Sequence, residues 1–126
     1  EAFLSATNHT LLEEIKPYEK MRIENSVIRN DRIVRLFAGN ERTTTNDIKR
    51  LLSAAYPDGL CCHYYKEFFG TLRSMIFDTT DKTIEMTFGS PQANEWQTFP
   101  VVALEEKEIE VSLPQEKAEP DFYKTI

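Results

Sequence analysis

The sequence predicts an α+β domain in which a helix pair lies on one face of an antiparallel sheet. Two stretches in the first half carry apolar residues at helical spacing, and two alternating runs in the second half flank Asp78-Thr79-Thr80-Asp81, a strong hairpin signal. Pro57-Asp58-Gly59 is turn chemistry and separates the helical half from the strand half.

The elements follow in order. Residues 2–7 suit a short strand ending at Asn8-His9. Residues 10–25 read as a loop with one helical turn, because Pro17 interrupts the helical spacing of Leu11, Leu12 and Ile15. Ser26 is a good N-cap for a helix over 27–38, with Ile33, Leu36 and Phe37 as its apolar face and Gly39 as its stop. Thr45 or Asn46 caps a second helix, in which Ile48, Leu51, Leu52 and Ala55 form the apolar stripe and Asp47 suits the positive N-terminus.

A short apolar run at 60–64 precedes strands at 70–77 and 83–88, the latter with Ile84, Met86 and Phe88 on an expected buried face and Thr83, Glu85 and Thr87 on a polar one. A further strand is expected within 96–104, where Pro100 pushes it to an edge, and a short one near 109–113. The domain is expected to span 1–113, followed by a polar, poorly ordered tail at 114–126.

A chain of 126 residues fits one domain, and 40% apolar residues with many aromatics favour folding over disorder. The net charge of −6, with lysines and arginines dispersed, argues against a nucleic-acid partner. The apolar runs are too short to span a bilayer, so no membrane partner is expected. The two cysteines, Cys61 and Cys62, are adjacent and poorly placed to bridge one another, which fits a reducing compartment such as the cytoplasm. Glu1-Ala2-Phe3-Leu4 has no initiator Met and reads as mid-protein sequence.

Three groups of residues bear on chemistry. An amide at a strand end, as at Asn8-His9, can donate to a developing oxyanion, although Asn is also a common turn residue. Arg29, Arg32 and Arg35 follow one another at three-residue steps and suit a carboxylate or the orientation of a nucleophile. A solvated face is the better account of Arg32 and Arg35. Arg29 is expected in the first helical turn, where a cation opposes the macrodipole, and this favours a specific partner for it.

In Cys61-Cys62-His63, strand alternation puts Cys61 and His63 on one face and Cys62 on the other. No third orienting group is evident nearby, so buried structural thiols are favoured over a nucleophile. No CxxC or HxxxH spacing points to a metal, and the chain has neither a Gly-rich phosphate loop nor a serine nucleophile elbow.

Six segments taken together carry a resemblance. They are Ser5-Ala6-Thr7-Asn8-His9, Ser26-Val27-Ile28-Arg29, the helix at 46–55, Leu60-Cys61-Cys62-His63, Thr71-Leu72-Arg73-Ser74-Met75-Ile76-Phe77-Asp78, and Met86-Thr87-Phe88-Gly89-Ser90-Pro91. In order and spacing they resemble the C-terminal half of the choloylglycine hydrolase and acyl-CoA:6-aminopenicillanate acyltransferase group. The resemblance implies part of an αββα N-terminal-nucleophile hydrolase sandwich. It also implies a cysteine at the mature N-terminus that attacks a linear amide C–N bond, with its own α-amine as the base.

The resemblance implies that Asn8 is the oxyanion-hole amide and that Arg29 is the active-site arginine holding the nucleophile or the substrate. Cys61 and His63 match a Cys-x-His segment of the acyltransferase-like branch, where packing is expected. Glu1 cannot be the nucleophile, so the chain is expected to be inactive alone and to need the N-terminal half of the enzyme or a second subunit. The substrate implied is a small-molecule amide, and no organic cofactor or metal is implied. An uncovered apolar face also favours self-association into a homo-oligomer. A non-catalytic interaction domain, associating through its sheet, is the alternative.

Overall fold

The computed structural model describes residues 3–20, 22–39, 42–102, 106–120 and 122. The expected strand at 2–7 is not formed: Ala2 lies outside the described residues, and residues 3–7 run as an irregular segment along the first helix. Side chains hold this segment where a strand would use its backbone. Ser5 Oγ donates to Asn30 Oδ1 at 3.0 Å, Thr7 Oγ1 donates to the Ser26 carbonyl at 3.0 Å, and the Phe3 ring stacks on Phe37 with centroids 5.3 Å apart. The single helical turn expected in the next stretch is the 3₁₀ turn Lys16–Tyr18.

Helix α1 (Glu24–Gly39) begins two residues before Ser26, so Ser26 is not its cap. Glu24 supplies the negative charge favoured in a first turn, while Ser26 and Asn30 are buried beneath the 5–9 segment. Arg29 consequently lies in the second turn, and its expected clash with the helix dipole does not arise.

Helix α2 (Thr45–Ser53) is capped one residue earlier than expected, by Thr44. The Asp47 amide donates to Thr44 Oγ1 at 3.2 Å, and Asp47 Oδ2 accepts from the Thr44 amide at 2.9 Å, a reciprocal capping box. The Thr44 hydroxyl, which donates to Asp47 Oδ2 at 2.6 Å, and the Thr44 amide, with a smaller contribution from Arg50, hold the Asp47 carboxyl down to about 2. After Ser53, the 54–61 loop closes through Cys61 N to the Ala54 carbonyl (2.8 Å) and Tyr56 N to the Cys61 carbonyl (2.6 Å).

The strand half forms two antiparallel units. β1 (His63–Tyr64) and β2 (Phe69–Gly70) make a small hairpin around the 3₁₀ turn Tyr65–Glu67. The apolar run at 60–64 thus reaches strand geometry only at its end. β3 (Arg73–Asp78), β4 (Thr83–Phe88) and β5 (Gln97–Pro100) form a meander with β4 in the centre. The β3–β4 turn sits where expected, with Asp78 Oδ1 accepting from the Thr80 and Asp81 amides, each at 2.9 Å. Pro100 ends the edge strand β5, where a missing N–H is tolerated.

Register assigns the two faces of this sheet. Ile76, Glu85 and Thr98 share one face, which α2 covers through the Lys49–Glu85 ion pair and Lys49 over the Trp96 ring, so the face of β4 expected to be polar, with Thr87 fully buried, is the covered one. Met75 and Met86, then Phe77, Ile84 and Phe99, share the other, where Phe77 is 62% exposed.

The strand expected at 109–113 is absent. There the Asn94 side chain replaces a strand partner: its Oδ1 accepts from Ser112 N at 2.7 Å and its Nδ2 donates to the Ser112 carbonyl at 2.8 Å. The segment expected as a poorly ordered tail folds back onto the body, although Asp121 and residues 123–126 lie outside the described residues. Phe122 is 1% exposed and meets Tyr64, Phe69 and Tyr56 edge-on, with centroids 4.8, 5.1 and 5.6 Å away. Among the described residues, no helix is long and apolar enough to cross a membrane.

Two outcomes follow from this packing. Phe122→Ala removes the centre of the aromatic cluster and is expected to cost about 3–5 kcal/mol in urea unfolding, whereas Phe68→Ala, at a fully solvated ring, leaves the midpoint nearly unchanged. Because the folded-state pKa of Asp47 is depressed, its capping contribution is present at neutral pH and is lost as pH falls through the ordinary carboxylate range to about 2. The melting-temperature gap between parent and Asp47→Asn should therefore be widest near neutrality and close in strong acid.

Candidate functional site

The cleft begins at the polar seam between the N-terminal segment and α1. His9 is buried, and its Nδ1 lies 2.8 Å from Ser26 Oγ and 3.1 Å from Thr7 Oγ1. This anchor turns the neighbouring Asn8 outward over α1. Arg29 Nη2 donates to Asn8 Oδ1 at 2.6 Å, and Arg29 Nε donates to Asn25 Oδ1 at 2.7 Å. Asn25 Nδ2 in turn donates to the Pro57 carbonyl at 2.8 Å, which ties the 54–61 loop to α1.

Asn8, Asn25 and Arg29 form the polar wall of a cleft of about 120 Å³, and Tyr56, Leu60, Cys62 and Phe69 form the apolar wall. Gly59 lies between them, where a Cβ would come within 2.2 Å of the Ala54 carbonyl oxygen. Asn8 and Arg29, singled out in the sequence, are therefore brought together.

Burial pulls the Arg29 guanidinium below its ordinary pKa, yet an arginine stays charged at neutral pH. With its oxygen committed to this cation, the Asn8 amide presents an Nδ2 group that makes no hydrogen bond among the described residues. Accepting from a cation also polarises an amide and strengthens its N–H donors.

Arg32 and Arg35 do not join this site. Three-residue steps drift by about 60° per step around a helix of 3.6 residues per turn, so Arg29 faces the cleft while Arg32 and Arg35 line a separate groove toward α2.

A second constellation surrounds His63. Its Nδ1 lies 2.8 Å from Glu116 Oε1, and its Nε2 lies 2.6 Å from Ser90 Oγ and 3.4 Å from Cys61 Sγ. Cys61 Sγ is also 2.9 Å from Ser90 Oγ. A carboxylate only accepts, so the network assigns the proton to Nδ1, and Nε2 accepts from the Ser90 hydroxyl.

Strand alternation correctly put Cys61 with His63, but the third group was missed. It is Glu116, fifty-three positions along the chain, with Ser90 as a fourth member. No local signal marks either residue: Ser90 reads as part of a strand-ending turn and Glu116 as tail. Cys61, His63 and Ser90 are all buried, so this arrangement offers no exposed nucleophile.

Cys62, on the opposite side of the chain, borders the cleft, but it too is buried. Desolvation pushes its thiol up, against the opposing effect of the Tyr64 and His63 backbone hydrogen bonds. Among the described residues, no cluster of three or more His, Cys, Asp or Glu is placed to hold a metal ion.

The family model described as "Acyl-coenzyme A:6-aminopenicillanic acid acyl-transferase" matches residues 1–93, a stretch that includes both cleft walls and ends before Glu116. No curated protein and no solved structure matches the chain.

The burial of both thiols and the direction of the Cys62 shift predict weak nucleophilicity. Iodoacetamide at neutral pH should label the folded chain about tenfold or more slowly than the urea-unfolded chain. Rapid labelling of either cysteine in the folded protein would show a thiolate that this environment does not provide for.

Proposed function

Because the chain belongs to the acyl-coenzyme A:6-aminopenicillanic acid acyl-transferase family, we propose that it supplies the oxyanion-binding part of a cysteine-nucleophile hydrolase or acyltransferase of linear, non-peptide amides. Asn8 is the oxyanion donor and Arg29 the residue that orients it. The observation that carries this reading is the 2.6 Å bond from Arg29 to Asn8 Oδ1, which leaves the amide N–H donors for a ligand.

The proposed chemistry proceeds in two halves. A cysteine thiolate from outside these residues adds to the amide carbonyl, and the carbonyl π pair moves onto oxygen. Asn8 Nδ2–H donates to that oxyanion, and the charge of Arg29 behind it makes the site more favourable for a developing anion. Collapse breaks the C–N bond, the leaving amine takes the proton that the cysteine's own α-amine had drawn from the thiol, and a thioester remains on the cysteine. Water then releases an acid in a hydrolase, or a second amine takes the acyl group in an acyltransferase. Cys61 and Cys62 are poor candidates for the nucleophile, being buried.

The partner proposed is a polypeptide segment that carries the nucleophile and a second sheet, completing an αββα sandwich of the choloylglycine hydrolase type. The apolar face of β3–β4–β5, with Phe77 and Met75 exposed, suits burial against another sheet. Two unpaired cysteines support a reducing compartment, which we take to be the cytoplasm.

The test combines this chain with the polypeptide encoded immediately upstream and assays amide cleavage on penicillin V and conjugated bile acids. Activity is expected only in the mixture. Asn8→Ala should lower kcat about 10²–10³-fold with little change in KM, since its bond forms only in the transition state. Arg29→Ala should lower kcat as well, by releasing the Asn8 amide. Absence of activity in a mixture shown to associate by size-exclusion chromatography would overturn the reading.

A further inference from the structure

The groove between α1 and α2 has no part in the proposed chemistry, yet its composition is unusual for an acidic protein. It has a volume of about 610 Å³, within the range of small-molecule sites. Arg32 and Arg35 enter it from α1, and Arg50 enters from α2. Its acid, Asp47, is already committed: one oxygen accepts from Thr44 and the other pairs with Arg50. Arg32 and Arg35 are exposed and make no hydrogen bond or ion pair among the described residues.

Three guanidiniums against one carboxylate leave a surplus of two positive charges at one concave surface, in a chain whose net charge is −6. Between them lie Leu36, Leu51 and Ala54, all half-buried, which give the groove an apolar floor. The stripes that build it are regular: residues 32, 35 and 36 on α1 face residues 47, 50 and 51 on α2 and its C-cap Ala54.

We propose that this groove binds a small organic phosphate that carries an apolar body. A phosphomonoester is nearly dianionic at neutral pH and matches the charge surplus better than a carboxylate does. Guanidinium forks bind phosphate oxygens in bidentate fashion. The leucine and alanine floor takes the apolar body. No residue of this groove lines the Asn8–Arg29 cleft, so the proposal stands apart from the function given above.

The test is an NMR titration of the whole chain that follows the arginine Nε–Hε signals, with phenyl phosphate, inorganic phosphate and phenylacetate as separate probes. Phenyl phosphate should give saturable shifts at Arg32, Arg35 and Arg50. Inorganic phosphate and phenylacetate should each bind about tenfold or more weakly, the first lacking the apolar body and the second a charge. Arg32→Gln and Arg35→Gln, both at exposed positions, should each weaken phenyl phosphate binding about five- to tenfold.

Unchanged affinity in both variants would overturn the proposal, as would equal binding of either control probe. A further adverse outcome is a set of concentration-dependent shifts without any ligand. That would place a second copy in the groove, for instance through its exposed acidic residues Glu106, Glu108 and Glu110.

Discussion

His63 is where the parts of this chain are fastened together. Its ring reaches Ser90 in the turn after β4, Glu116 in the C-terminal segment and Cys61 two residues before it, and its carbonyl accepts from the Glu116 amide at 3.0 Å. A buried polar group is tolerated only when its bonds are made, and in a low-dielectric interior a partly satisfied chain is worse than none. Every member here has a partner, so the network fixes one arrangement of three segments. Phe122 extends the same constraint, because the backbone that delivers Glu116 also carries this ring into the cluster with Tyr56, Tyr64 and Phe69.

The cleft depends on that fastening at second hand. Tyr56 and Phe69 form part of its apolar wall and are the same rings that pack on Phe122. Cys62 borders it because Cys61, its neighbour, is held inward by Ser90 and His63. The opposite wall has a separate support, the polar seam between residues 5–9 and α1, in which His9 and Thr7 hold Ser26 while Arg29 holds Asn8. One wall is thus set by aromatic packing and the other by hydrogen bonds. The bond from Asn25 to the Pro57 carbonyl joins them.

The sheet is less complete than the cleft. α2 covers the face that carries Glu85, while the face with Met75, Phe77 and Ile84 keeps large side chains in solvent. In a chain of this size such a face is a substantial part of the apolar surface available for a core. This open face supports the two-part enzyme proposed above, and among the described residues the buried apolar cluster is small: Cys62, Tyr64 and Phe122, with Tyr56 and Ala118 packed against it.

The sequence by itself determined whatever depends on near neighbours. The α2 stripe, the turn at Asp78–Asp81, the register-bearing alternation of β4 and the pairing of Cys61 with His63 all follow from local periodicity or turn chemistry, and each is found within a residue or two. The convergence of Asn8 with Arg29 was expected only from family resemblance. Tertiary structure alone decided three other things. It kept residues 3–7 from forming a strand, because side chains found partners on α1. It gave Asn94 the role of a strand partner for Ser112. It turned a polar tail into the source of both Glu116 and the most buried aromatic ring among the described residues. Each joins residues many positions apart through side chains, and composition or period carries no record of such a meeting.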